Sequence, residues 1–492
     1  MNDKYSNTQI ILAYLAISLL FRGMSFFYSV IDHDESTYII IAHQLLQGKA
    51  LYKDLFDTKP AGIFGIFATW QYLFADAIWA IRLLTSLFVA ATAYFLFSAK
   101  QLLPNNTPQN AFLVGILYII GATVYSMGLA ANTELFFNAF TTLSLFFWLK
   151  MHHKNNHLQK CLGSLLSGLA MGIGFVIKYL VLFDAVAFCI SYLVGIVWIN
   201  KGSGKLKTAI IPAFFQCCTM AIGLAVPFSI LHLYFYNTDH FNQFLAVTYQ
   251  TTSRYSNPFD VGKFISFVWK WHTKFWFLVI PFYIAITNKQ LRQTNPFIYL
   301  NNKAVGIWYI AVWVAVCITG KYFGHYYLQL LPPVCWAAAD VVYLPAVSNF
   351  VKQRSKTIIA IGITCALLVL TNQYYYYIYQ PDIPKQIVAD IKPQLNTGDI
   401  VFTGNYRHII YYLLNQAPPT RYVHPSLIYD KQHTQALQIN ANAELQKITD
   451  QHPRFVIIEK QYPNPLLGTI LLADYKLLRK YGKEVFLYER IK

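Results

Sequence analysis

The run Ile10-Ile-Leu-Ala-Tyr-Leu-Ala-Ile-Ser-Leu-Leu-Phe-Arg-Gly-Met-Ser-Phe-Phe-Tyr-Ser-Val-Ile31 gives way at once to Asp32-His-Asp-Glu35. An apolar stretch of this length reads as a helix that crosses a membrane, which takes about 20 residues. No small-residue cleavage motif interrupts it, so it is expected to stay as an uncleaved first span. Apolar runs then recur along the chain. They predict about eleven spans, near 10–30, 80–99, 110–127, 134–150, 161–178, 180–199, 208–235, 272–288, 304–320, 325–346 and 357–377.

Composition agrees with that reading. The 492 residues are 56% hydrophobic and 12% charged, against about 25% charged in soluble domains, and the mean hydropathy is +0.38. A soluble cytosolic enzyme is excluded. With 7 Cys, 24 Gly and 20 Pro, so are disulfide scaffolds, collagen-like chains and disorder. The net charge of +17 does not point to nucleic acid, because Lys and Arg sit in short gaps between apolar runs.

Those gaps set the orientation, since cationic loops resist translocation. The N-terminus and the loops holding Lys100, Lys150/Lys154/Lys160, Lys201/Lys205/Lys207, Lys289/Arg292/Lys303 and Lys352/Arg354/Lys356 are expected to be cytoplasmic. The first outer loop (31–79), the second (237–271) and everything after Tyr377 are expected outside, which an odd number of helices requires. The expected fold is therefore a polytopic α-helical membrane protein, with a transmembrane domain at 1–377 and a small extracytoplasmic α/β domain at 378–492. In the latter, Asp399-Ile-Val-Phe-Thr403, Phe455-Val-Ile-Ile458 and Val485-Phe-Leu-Tyr488 read as strands, and 384–395, 440–451 and 467–481 as helices. The plasma (inner) membrane is the expected location.

The first outer loop holds six carboxylates between Asp32 and Asp76. A carboxylate at the end of a span, followed by a helix pattern from Tyr38 to Leu46, would hold a general base at the bilayer surface, where a lipid substrate is reached. The simpler alternative is that Asp32, Asp34 and Glu35 cap and solvate a helix start. Ionisable residues within apolar runs are functional candidates by default, and Arg22, Glu134, Lys178 and Asp184 qualify. They could equally pair with each other, Lys178 with Asp184 for example. Arg22, Lys178 and Arg254 all fall at the outer interface, facing an acidic loop, which suits a shared anionic ligand such as a phosphate. Gly202-Ser-Gly-Lys205 lacks phosphate-loop spacing and reads as a turn, and His152, His153 and His157 as a solvated face. His33, between two aspartates, is a possible divalent-cation ligand.

The order of these stretches resembles a known family. Asp34-Glu35, Tyr38, Gly48 to Tyr52 and Lys59-Pro60, then Asn132-Thr-Glu134, Gly174-Phe-Val-Ile-Lys178 and Gly324-His-Tyr-Tyr-Leu-Gln-Leu-Leu-Pro-Pro333, are similar to bacterial GT-C class membrane glycosyltransferases related to the protein O-mannosyltransferases and the lipid A aminoarabinose transferase. The resemblance covers roughly residues 10 to 345. It implies inverting transfer of a sugar from a polyprenyl-phosphate donor to an acceptor hydroxyl on the outer face. It implies Asp34 as base with Glu35 orienting it or the acceptor, and Lys59, Lys178 and Arg254 on the donor phosphate. Tyr38, Asp57, Glu134, His325 and Tyr326 would support them. The loop around Arg254 departs from the aminoarabinose transferase pattern. The implied partners are a lipid-linked sugar, membrane lipids and an acceptor glycan, lipid or protein, with a divalent cation possible and nucleic acid not expected. A transporter also places charges within helices, but would need paired broken helices in two related halves. A membrane assembly factor would be indifferent to neutralising Asp34.

Overall fold

The computed structural model describes residues 6–74, 76–154, 156–202, 204–254, 256–460 and 463–491, the side chain of Thr252 excepted. Each predicted span is helical over most of its length. Among the described residues seven helices are long and apolar enough to cross a membrane, eight if Gly324–Tyr343 and Pro345–Gln353, which meet at a bend of 79°, count as one broken span. Pro108–Val124 and Trp276–Thr287 are shorter apolar helices. Thr133–His152 is a further helix of 20 residues, largely buried, whose inward side includes Asn138, Thr141, Thr142 and Ser144.

The chain divides into two compact units. The first comprises Met1–Met24, Arg82–Tyr234 and Pro258–Gln373; the second comprises Ser25–Ile81, Phe235–Asn257 and Tyr374–Lys492. The second unit thus gathers the whole of the first outer loop and the start of the second together with the C-terminal region.

In the first unit the helices His157–Ile177 and Leu206–Tyr236 pack backbone to backbone. A Cβ on Gly168 would lie 2.0 Å from the Met220 carbonyl oxygen, and one on Gly223 2.4 Å from that of Leu165. In lipid, where apolar side chains gain nothing by leaving solvent, such close approach of small residues is what joins helices. Ser144 and Ser167 add a buried hydroxyl pair at 2.7 Å between Thr133–His152 and His157–Ile177.

In the second unit a four-stranded sheet has the order β1-β2-β4-β3, with β1 Val401–Phe402, β2 Phe455–Glu459, β3 Tyr475–Tyr481 and β4 Val485–Arg490. β1 runs parallel to β2, and β2 and β3 antiparallel to β4. Successive side chains alternate between faces, and both faces of β2 are covered: Phe455 and Ile457 join a core with Ile387, Ile391 and Ile410, Val456 and Ile458 one with Leu445, Ile448, Leu467 and Leu471. The expected helix at 467–481 is a correction. Pro465–Asp474 is helical, but 475–481 is β3. Its Lys, Leu and Arg residues favour a helix locally, and pairing overrides them: Lys476 faces Glu489 across the hairpin, with an ion pair at 3.2 Å.

Candidate active site

The second unit contains the acidic loop. His33–Leu46 is a helix with Asp34 and Glu35 in its first turn, where the helix dipole favours negative charge. Asp32 occupies the N-cap position, yet its side chain accepts no capping hydrogen bond, so the simple capping alternative does not account for it. Asp34 Oδ1 lies 3.2 Å from Lys59 Nζ and 3.5 Å from His424 Nε2. The Asp34 and Lys59 side chains are 13% and 18% exposed, so the pair is shielded and still reachable. Glu35 is wholly buried.

Lys59 is held from several sides. Its backbone N–H donates to Asp57 Oδ1 at 2.8 Å, its carbonyl accepts from Tyr52 Oη at 2.9 Å, and its Nζ lies 5.8 Å from the Tyr38 ring centroid. Tyr52 has φ of 68°, a left-handed conformation costly for an aromatic residue, and its N–H donates to the Leu55 carbonyl at 2.7 Å. The predicted supporting residues Tyr38 and Asp57 thus surround Lys59.

Three imidazoles of the same unit cluster nearby; the sequence singled out His33 alone, and neither His408 nor His424 was marked by a motif. Ring centroids are 5.6 Å apart for His33 and His408, 5.8 Å for His33 and His424 and 5.6 Å for His408 and His424. Thr37 Oγ1 and His408 Nε2 are 2.8 Å apart. Burial drives the His33 pKa down to about 3, helped by the positive field of Arg407 and by any charge on His424, and opposed by Asp34. Burial likewise lowers His408 well below the usual range, and lowers His424 against the pull of Asp34. Among the described residues no group of three or more His, Cys, Asp or Glu is arranged to hold a metal ion, and the His33 ring is stacked on that of His408.

The first unit holds the other cluster. Lys178 follows the helix His157–Ile177 in extended conformation, φ −156°, and pairs with Glu134 Oε1. Glu134 is wholly buried and also accepts from Thr133 Oγ1 at 3.2 Å. Lys178 Nζ lies 4.4 Å from the Tyr326 ring centroid, and His325 packs edge to face on that ring at 4.9 Å. Three expectations are corrected here. Lys178 pairs with Glu134, not Asp184, whose carboxylate accepts from Trp308 Nε1 at 2.6 Å and Gln329 Nε2 at 2.9 Å. Arg22 is wholly buried and donates to the carbonyls of Gly128 and Leu129, where Arg82 also donates. It ties a helix end and is not available to an anion. Lys100, expected in a cytoplasmic loop, is instead buried with Asp340 at 2.8 Å. Arg254 is exposed at the end of Thr252–Arg254 and pairs with none of the other described candidates.

This arrangement, a multi-pass helical membrane protein with an acidic loop and a small C-terminal sheet, is the fold of the GT-C class of membrane glycosyltransferases. The comparisons with known proteins are specific. Residues 58–231 match the family model described as dolichyl-phosphate-mannose-protein mannosyltransferase. The structure of ArnT from Cupriavidus metallidurans bound to undecaprenyl phosphate is similar with a TM-score of 0.64 at 15% identity, over 98% of this chain and 98% of that one. Its apo form gives 0.62 at 14%, with the same coverage. The archaeal oligosaccharyltransferase AglB from Archaeoglobus fulgidus, in complex with an inhibitory peptide and a dolichol-phosphate, gives 0.54 at 10%, over 93% of this chain and 69% of that one. No curated protein matches by sequence.

Proposed function

We propose that this protein is an inverting glycosyltransferase that moves a sugar from a polyprenyl-phosphate donor to an acceptor hydroxyl on the extracytoplasmic face of the plasma membrane. The observation that carries the reading is the shielded Asp34–Lys59 pair at 3.2 Å, on a GT-C fold. Asp34 takes the proton from the acceptor hydroxyl as its oxygen attacks the anomeric carbon. The bond from that carbon to the phosphate oxygen breaks on the opposite side, with inversion. Polyprenyl phosphate leaves as a weakly basic anion and needs no protonation, unlike the alkoxide leaving group for which glycosidases keep a second carboxyl group. One base is enough.

The charge that develops on the departing phosphate is met by fixed cations in surroundings of low dielectric, where each is worth most. Lys59 and Lys178 serve this role, Lys59 shared between Asp34 and the phosphate. Arg254 contributes from an exposed position. Glu35, wholly buried in the first turn, keeps Asp34 in place. Tyr38 and Asp57 hold Lys59; Glu134, Tyr326 and His325 hold Lys178. The acceptor is a glycan, lipid or protein hydroxyl.

The test is turnover of radiolabelled undecaprenyl-phosphate hexoses and pentoses by purified protein in lipid, with cell-envelope extract as acceptor. Wild type should consume one donor. Asp34→Asn should lose roughly 10²–10⁴-fold in rate, the range for a general base, with its unfolding midpoint unchanged. Equal, weak binding of every donor to wild type, Asp34→Asn and Lys178→Ala would overturn the reading.

A further inference from the structure

The proposed base meets a residue of the C-terminal region that no motif marked. His424 Nε2 faces Asp34 Oδ1 at 3.5 Å, the outer edge of hydrogen-bonding distance, and the hydrogen bonds behind the ring decide which nitrogen carries the proton. The backbone N–H of Ser426, which can only donate, reaches His424 Nδ1 at 3.2 Å. The Ser426 hydroxyl lies 2.8 Å from the same nitrogen. His433 Nδ1 is 3.2 Å from the Ser426 carbonyl, which can only accept, and 3.0 Å from the Ser426 hydroxyl. His433 therefore donates, the hydroxyl passes its hydrogen on to His424 Nδ1, and a neutral His424 carries its own hydrogen on Nε2, toward Asp34.

We propose that His424 is a positioning residue for Asp34: its Nε2–H holds the carboxylate ionised and in one orientation, while Ser426 and His433 lock the ring in the tautomer this requires. The proposal rests on Asp34 being the base. Two physical points favour it. Lys59 Nζ is divided between Asp34 at 3.2 Å and Asp57 at 3.9 Å, and in the proposed reaction also meets a phosphate, so it cannot fix Asp34 alone. A neutral donor orients a carboxylate without adding a second full positive charge, which would drain its basicity. Burial lowers the His424 pKa, the negative charges of Asp34, Asp57 and Asp32 opposing this and Lys59 assisting. His33, His408 and Arg407 complete the charged and titratable surroundings. The transferred proton ends on Asp34; His424 neither gains nor loses one.

The experiment compares wild type, His424→Ala, His424→Gln and Asp34→Asn, in lipid, using the undecaprenyl-phosphate sugar that wild type consumes, with binding of undecaprenyl phosphate itself as a second readout. His424→Ala should lower kcat roughly 10- to 100-fold, the scale of a misplaced catalytic group, with KM for the donor and undecaprenyl phosphate binding nearly unchanged. Its acid limb should move to higher pH, because Asp34 loses a donor that favours its charged form. His424→Gln, which keeps an N–H at similar reach, should recover much of the rate. A wild-type rate and pH profile in His424→Ala, while Asp34→Asn is inactive, would overturn the positioning role and leave the base in place. Loss in His424→Ala with an unmoved acid limb and no recovery in His424→Gln would also overturn it, as a packing defect. Full activity in Asp34→Asn would remove the base itself, and this proposal with it.

Discussion

Lys178 and Glu134 form a nearly dry pair, their side chains 10% and 1% exposed, and such a pair serves structure and chemistry differently. Removing one partner strands the other charge, at a cost of about 3–5 kcal/mol, whereas removing both charges is often nearly neutral. Lys178→Ala should therefore lower the unfolding midpoint sharply, and adding Glu134→Gln should restore most of it. Donor turnover should stay lost in the double variant, since the phosphate still lacks its cation. Thermal unfolding beside turnover separates the two roles, and recovered turnover would assign Lys178 to structure alone. The spacing in the sequence marked both residues as costly in an apolar run. It could not say which carboxylate Lys178 meets, because Asp184 and Glu134 are both within reach of a folded chain and only packing chooses.

At the scale of elements, the helix His33–Leu46 and the segments bearing His408 and His424 share a cluster of three imidazole rings whose pKa values burial lowers. An imidazole whose pKa falls on folding stays neutral in the folded state, while the unfolded chain takes up protons from about pH 6.5 downward. The unfolded state then binds more protons, so stability is full above about pH 6.5 and declines as the pH falls, by up to about 1.4 kcal/mol per pH unit for each group. For His33 the decline continues toward about 3. His43 works in the opposite sense: its hydrogen bond with Asp76, at 2.6 Å, raises its pKa, so its contribution is complete at low pH and lost as the pH climbs through the raised value. Unfolding midpoints between pH 7.5 and 5 should fall with acid, and His33→Gln should flatten the curve. An unchanged slope in that variant would sink the account. None of this was legible locally, since His33, His408 and His424 lie far apart along the chain and carry no common spacing.

For the whole molecule, all seven cysteines are free, so they can be removed without losing a disulfide. In such a background, a cysteine at the exposed Lys483 should react with a membrane-impermeant maleimide in intact cells. One at the exposed Lys205 should react only after permeabilisation. The reverse pattern would invert the orientation and remove the extracytoplasmic reaction. The distribution of Lys and Arg is the physical basis of this expectation. One of its members, Lys100, proves to be buried with Asp340, and a buried pair does not act as a loop charge.

Span positions, the small C-terminal sheet, the acidic loop and the order of the motifs follow from the sequence by itself. Each depends on hydropathy and spacing, which act over neighbouring residues, and burial in lipid leaves little freedom to override them. Tertiary structure alone decided what pairs with what. Tyr475 to Tyr481 became a strand because Val485–Arg490 was there to pair with it. Arg22 turned to the carbonyls of Gly128 and Leu129, and His424 reached Asp34 across 390 residues of chain. Such choices are made by the competition of many distant groups for the same few donors and acceptors, and no local pattern records its outcome.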